Sequence, residues 1–162
     1  QAATSSAQKF ISRNPLNLEV FRLGIPLEGT SAVTGPIHTF RYGAFGKSAA
    51  TVLAEQSAQK VGLEEIFSRA YPHEVAWMIE AKSNPQLLAD RIQFVLVKVE
   101  GRQADLMKSM GLDPLTGEEG SKIVVKYYIR FLVREELYLG PVWDAHPDWR
   151  IALSQFLDNL KK

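Results

Sequence analysis

A short glycine-rich segment, Gly43–Ser48, carries the chain's best match to a phosphate-binding motif. In the complete motif, a glycine stands five positions before the Gly-Lys-Ser end, and backbone N–H groups wrap the phosphate at a helix start. Position 41 of this chain is Arg41 instead. Gly46, Lys47 and Ser48 are therefore candidates for weak anion binding only. The alternative is a glycine-rich turn in which Ser48 caps a helix.

A second candidate group is centred on His146, which has an aspartate two residues away on each side, Asp144 and Asp148. A carboxylate beside an imidazole can orient the ring for acid–base catalysis. The alternative is a turn in which Asp148 favours the start of the next helix. The chain has no cysteine and no two histidines at metal-ligand spacing on one helix, so we predict no metal site and no cofactor.

Three basic residues, Lys126, Arg130 and Arg134, follow one another at intervals of four. On a helix, this spacing places them on one face. Such a stripe is a candidate surface for an acidic protein partner, and an ordinary solvated face is the alternative. Trp143, in a loop bounded by glycine and proline, is a further partner-binding candidate because tryptophan often anchors interfaces. Alternatively, Trp143 packs in the core against the last helix.

The charges of the whole chain nearly balance, since 19 Lys and Arg residues against 18 Asp and Glu residues give a net charge of +1. This balance argues against nucleic-acid binding, which usually needs a strongly basic surface. The length of 162 residues suits one domain. No uninterrupted apolar run is long enough to predict a transmembrane helix.

The N-terminal part of the chain differs from the rest in charge and in regularity. The first 50 residues contain five basic and two acidic residues, a charge of +3, and the other 112 contain 14 and 16, a charge of −2. Glycine and proline recur there, so we predict that residues 1–46 form an extended basic arm or a loose hairpin with short strands at Leu18–Leu23 and His38–Tyr42. The acid-poor, Ser- and Ala-rich segment that begins at Gln1 is typical of a processed organellar or exported protein. A flexible terminal arm of a cytosolic protein is the alternative.

Residues 47–162 are predicted to form a helical domain of about five to six helices, because apolar residues recur at helical spacing. The predicted helices are Ser48–Val61, Leu63–Ala70, Pro72–Lys82, Pro85–Met110, Ser121–Leu139 and Asp148–Leu160. Ile92–Val99 is rich in β-branched residues and also suits a buried strand. The predicted fold class is therefore mainly α, a single helical domain with an irregular N-terminal arm. The alternative is an α+β fold with Ile92–Val99 as a strand.

These observations favour a non-catalytic structural or adaptor subunit of a larger protein assembly. It would dock on other protein subunits through the extended N-terminal arm and the apolar faces of its helices. The alternative function is a small enzyme, or a domain that binds phosphate or another small molecule. Its site would lie near Gly43–Ser48 or near Asp144–Asp148.

Overall fold

A mixed β-sheet of six strands lies at the centre of the described chain. The computed structural model describes residues 9–27, 49–78 and 83–161. The strands there are β1 (Lys9–Ile11), β2 (Arg22–Pro26), β3 (Val75–Met78), β4 (Ile92–Arg102), β5 (Ile123–Phe131) and β6 (Glu136–Tyr138). The helices are α1 (Ala49–Ala70), α2 (Asn84–Ala89), α3 (Gln103–Ser109), α4 (Gly117–Ser121) and α5 (Trp149–Asn159). The chain has an α/β fold, and the mainly α prediction is wrong.

The strands follow one another across the sheet in the order β1-β6-β5-β4-β2-β3. Strands β4, β5 and β6 form an antiparallel centre. On one side β2 runs parallel to β4, and β3 runs parallel to β2. On the other side β1 runs parallel to β6. Strands β1 and β3 are therefore the two edges of the sheet in the described part of the chain.

The central strand β5 is buried on both faces of the sheet. Val125, Tyr127 and Ile129 belong to the core between the sheet and helices α1 and α5. Val124 and Tyr128 point to the other face, where they pack with residues of α3. Since a strand that is covered on both faces is apolar at almost every position, its sequence loses the alternation that usually identifies a strand.

That loss of alternation explains why the predicted helix Ser121–Leu139 is wrong. Its apolar residues, with Lys126, Arg130 and Arg134 at intervals of four, predict a helix. The structure instead forms β5, a turn and β6. The sequence of β5, IVVKYYIRF, is dominated by β-branched and aromatic residues, which favour a strand that is covered on both faces.

The predicted helix Pro85–Met110 is also wrong, because the structure divides it into α2, β4 and α3. Strand β4 includes the whole of Ile92–Val99, so the strand of the alternative prediction is confirmed, although the fold class is α/β and not α+β. The helix predicted at Pro72–Lys82 is replaced by β3, whose residues pair with β2.

Gly62 does not end a helix, contrary to the sequence-based prediction, and α1 continues through it to Ala70. A glycine inside a helix costs only about 1 kcal/mol relative to alanine. Here its missing side chain also allows close packing with α5, since a Cβ atom at this position would lie 3.2 Å from the indole ring of Trp149.

The described part of the predicted N-terminal arm, residues 9–27, belongs to the sheet. Strand β1 pairs with β6, and β2 lies between β4 and β3. The strand that was predicted at Leu18–Leu23 begins later, at Arg22, because the Val20 N–H donates to the Asn17 carbonyl in a turn. An extended arm is therefore wrong for these residues. His38–Tyr42 lies outside the described residues.

Two predicted helix starts, at Pro85 and Asp148, are confirmed to within one residue, since α2 begins at Asn84 and α5 at Trp149. Asp148 caps α5, and its carboxylate accepts a hydrogen bond of 2.9 Å from the Arg150 N–H. Ser83 caps α2 in a reciprocal arrangement with Gln86. Both starts depend on residues close in sequence, which is why they could be identified without the fold.

Candidate functional site

The most deeply buried charged residue of the described chain is Lys126, with a side chain that is 1% exposed. Its Nζ atom lies 2.7 Å from Asp144 Oδ1 and also donates a hydrogen bond of 2.9 Å to the Leu139 carbonyl. Strand β5 carries the lysine, and the loop after β6 carries both acceptors. The structure therefore joins two residues that the sequence had assigned to separate candidate sites.

The second oxygen of Asp144 is occupied as well. Asn159 Nδ2, at the end of α5, donates a hydrogen bond of 2.9 Å to Asp144 Oδ2. The Asn159 carbonyl in turn accepts a bond of 2.9 Å from Asn14 Nδ2. This polar network of Lys126, Asp144, Asn159 and Asn14 connects β5, the loop after β6, α5 and the N-terminal segment.

The electrostatics of the network favour a structural role. Burial lowers the pKa of the Lys126 ammonium, and the neighbouring Asp144 carboxylate opposes that shift. The ammonium also lies 4.9 Å from the centre of the Phe156 ring, a distance that allows a cation–π interaction. Because both oxygens of Asp144 accept hydrogen bonds from inside the chain, the network holds the four segments together.

The structure does not bring Asp144 and His146 together as an acid–base pair. Both Asp144 oxygens bond to other residues, and Asp148 caps α5. His146 Nδ1 accepts a hydrogen bond of 3.0 Å from the Asp148 backbone N–H. The His146 backbone pairs with Val125 of β5. These contacts match the alternative interpretation of this segment, a turn that leads into a helix.

The basic stripe predicted from Lys126, Arg130 and Arg134 does not form, because the segment is not a helix. Lys126 and Arg130 lie on β5 and are buried, and Arg134 is exposed in the turn before β6. Arg130 forms two parallel hydrogen bonds to the Glu135 carboxylate, at 3.1 and 3.0 Å. Asn84 Nδ2 completes the group at 3.4 Å from Glu135 Oε2.

Two cavities elsewhere in the described chain are lined by charged side chains. Arg130 and Asn84 border a crevice of about 10 Å³, which is room for about one water molecule. A cleft of about 180 Å³ is lined by Val20, Arg22, Glu74, Asp90 and Arg91. It mixes both signs of charge, so it does not select an anion.

Trp143 is half-buried in the loop after β6. Its Nε1 donates a hydrogen bond of 2.7 Å to Gln103 Oε1, and Gln103 Nε2 donates one of 2.9 Å to the Glu119 carbonyl. The indole is thus held against the helices that follow β4. The other predicted site, the anion-binding candidates Gly46, Lys47 and Ser48, lies outside the described residues.

Strand β3 is an edge of the sheet in the described part of the chain, and sequence reasoning missed it because a helix is predicted for this segment. In the parallel pairing of β2 with β3, the Leu23 N–H donates to the Glu74 carbonyl and the Leu27 N–H donates to the Met78 carbonyl. A parallel ladder joins alternate residues of each strand. The N–H and C=O groups of Val75 and Trp77 therefore point away from β2.

This β3 edge, defined as the outward side of Val75–Met78, lies beside apolar side chains. Trp77 packs edge-on against Phe67 of α1, with ring centroids 6.1 Å apart, and Lys60 lies 5.8 Å from the indole. The four residues of β3, Val-Ala-Trp-Met, include no charge and no proline. Charged residues and prolines are two of the features by which sheet edges avoid binding another chain.

Neither a metal-binding cluster nor a known relative identifies the chemistry of this chain. Within residues 9–27, 49–78 and 83–161, no three His, Cys, Asp or Glu side chains are grouped to hold a metal ion. No helix in that part of the chain is long and apolar enough to cross a membrane. Comparison of the chain with protein-family models, with curated proteins and with solved structures finds no match.

Proposed function

We propose that this chain is a non-catalytic structural or adaptor subunit of a protein assembly, and that it docks through the β3 edge. The observation that carries the proposal is the pair of residues Val75 and Trp77, whose backbone groups point away from the sheet. A strand from a partner can pair with such an edge and complete the hydrogen bonds of the sheet.

The side chains around the edge support a protein ligand. Val75 and Trp77 are half-buried and contact the core on one face of the sheet. Ala76 packs against the core on the other face. An added strand would place alternate side chains beside both groups, so that backbone bonds supply affinity and side-chain contacts supply specificity.

The buried charges support the same proposal. Lys126 pairs with Asp144, and Arg130 pairs with Glu135. Each buried cation is thus used to hold neighbouring segments of the chain in place. No contact among the described residues favours the alternative of a small-molecule site at Asp144–Asp148, and a site at Gly43–Ser48 stays a prediction.

The proposal is tested with two variants of one residue. Val75→Pro removes an N–H that points outward, so the hydrogen bonds between β3 and β2 are kept. Val75→Thr is the matched control, because it keeps the N–H and the β-branched shape. Circular dichroism spectra of both variants verify that they fold.

The measurement is the size of the complex that each tagged variant forms in its native source. We expect the wild type and Val75→Thr to elute with a larger assembly, and we expect Val75→Pro to elute at the mass of the tagged single chain. Retention of Val75→Pro in the assembly would contradict docking at the β3 edge.

A further inference from the structure

We infer that a second copy of this chain binds the β3 edge, with the two β3 strands antiparallel about a two-fold axis at Ala76. The inference rests on the proposed docking at this edge and names the partner. Two-fold symmetric dimers are the commonest protein oligomers, and in them the same surface of each copy must fit itself. The backbone of the β3 edge meets that condition.

The self-complementarity follows from the spacing of the outward residues. Val75 and Trp77 are separated by one residue, Ala76, whose backbone faces β2. In an antiparallel pair, hydrogen-bonded residues exchange both of their N–H···O bonds. With the axis at Ala76, Val75 of one copy lies opposite Trp77 of the other, and the reverse pair forms as well. The two pairs together make four hydrogen bonds.

The side chains fit the same register. The two Ala76 residues would face each other as a non-hydrogen-bonded pair, in which Cα atoms approach to about 4.5 Å. Their small methyl groups allow this approach. On the other face of the sheet, Trp77 of each copy would lie beside Val75 of the other. Pairs of an aromatic and a β-branched residue stabilise neighbouring strands.

The β1 edge of the sheet offers fewer backbone hydrogen bonds to a second copy than the β3 edge does. Strand β1 has three residues, and the bond from the Leu139 N–H to the Ile11 carbonyl shows that Ile11 faces β6. Phe10 is then the residue of β1 that points outward, and it can supply only half as many bonds to a second copy. The net charge of +1 per chain adds little repulsion between copies.

A strand pair that joins Val75, Ala76 and Trp77 of each copy is small beside a stable interface, which usually buries at least 1,200 Å². The dimer is therefore weak, and it forms only at high protein concentration. Sedimentation equilibrium of the purified chain from about 10 μM to 1 mM would follow it. The average mass of the wild type and of Val75→Thr should rise from 18.1 kDa toward twice that value. Val75→Pro should stay at the mass of one chain.

Disulfide trapping tests the register and does not depend on the proline variant. The chain has no cysteine, so a single introduced cysteine can form a disulfide only between copies. The Ala76→Cys variant should form a disulfide dimer at least ten times faster than Glu74→Cys, because residue 76 lies on the axis at a distance that a disulfide spans. Equal rates for the two variants would contradict the register.

The two proposals fail in different ways. A mass that stays at 18.1 kDa up to 1 mM would overturn the second copy as the partner. That result would not contradict the docking of a different protein at the β3 edge, provided that Val75→Pro is absent from the native assembly. Both proposals would be overturned if the purified chain showed no rise in mass and Val75→Pro also remained in the native assembly.

Discussion

At the scale of single residues, the fold depends on buried charges that are paired inside the molecule. Lys126 and Asp144 are both almost fully buried, and they bond to each other at 2.7 Å. Removing one partner of a buried pair leaves a charge without compensation, whereas removing both can be nearly neutral. The energetic role of the pair is therefore visible only when the single and double variants are compared.

We predict that Lys126→Met and Asp144→Leu each lower the free energy of unfolding by about 3–5 kcal/mol. The double variant should lose much less than the sum of the two, because neither charge is then left alone. Urea denaturation of the four proteins measures this coupling. Additive losses would contradict the account of the network.

Tyr71 provides a second test at this scale. Its hydroxyl is buried without a hydrogen-bond partner in the described part of the chain. We predict that Tyr71→Phe raises the free energy of unfolding by roughly 1 kcal/mol, because it removes an unsatisfied polar group. The control is Tyr138→Phe, which removes a hydrogen bond of 2.7 Å to Glu136 and should be destabilising. The prediction fails if both variants lose the same stability.

The pH dependence of the Tyr71 effect has a definite sign. Burial raises the pKa of the Tyr71 hydroxyl, with a smaller contribution from Glu19. The folded chain therefore keeps this proton where the unfolded chain loses it, above about pH 10. Deprotonation of Tyr71 in the unfolded chain therefore does not affect the free energy of unfolding below that pH, and it lowers this free energy as the pH rises further. Tyr71→Phe should thus lose less stability than the wild type between pH 9 and 11.

At the scale of elements, the caps of α2 and α5 could be predicted from the sequence and the central strands could not. A cap depends on residues within one turn, such as Asp148 and Arg150. The interval of four between Lys126 and Arg130 is ambiguous, since it places two residues on one face of a helix and also on one face of a strand. Both are on β5, and Lys126 pairs with a residue 18 positions away. Only the tertiary structure reveals such a pair.

The confirmed cap also makes a prediction. Asp148→Ala removes the hydrogen bond to the Arg150 N–H and should lower the free energy of unfolding by about 1 kcal/mol. Asp158→Ala, near the other end of α5, is the control. The Asp158 carboxylate is exposed and lies 3.9 Å from Lys161, so its loss should cost less than about 0.5 kcal/mol. Thermal unfolding of both variants gives the comparison, and equal losses would contradict the capping role.

At the scale of the whole molecule, the sheet has a tightly packed centre, and β3 is its last strand on one side among the described residues. The central strands β4 and β5 are covered on both faces, and the polar network fixes the loop after β6 to α5. The β3 edge instead presents the backbone groups of Val75 and Trp77 outward. The basic N-terminal arm predicts a docking subunit, but the described part of that arm is in the sheet. The β3 edge takes its place as the proposed docking surface.

Residue-resolved hydrogen exchange tests the central claim most directly, because β3 contains its own control. The Ala76 N–H faces β2, whereas the Val75 and Trp77 N–H groups face outward. In the isolated, dilute chain we expect Ala76 to be protected and Val75 and Trp77 to exchange rapidly. In the assembled state all three should be protected. Exchange at Val75 and Trp77 that is equally fast in both states would contradict docking at the β3 edge.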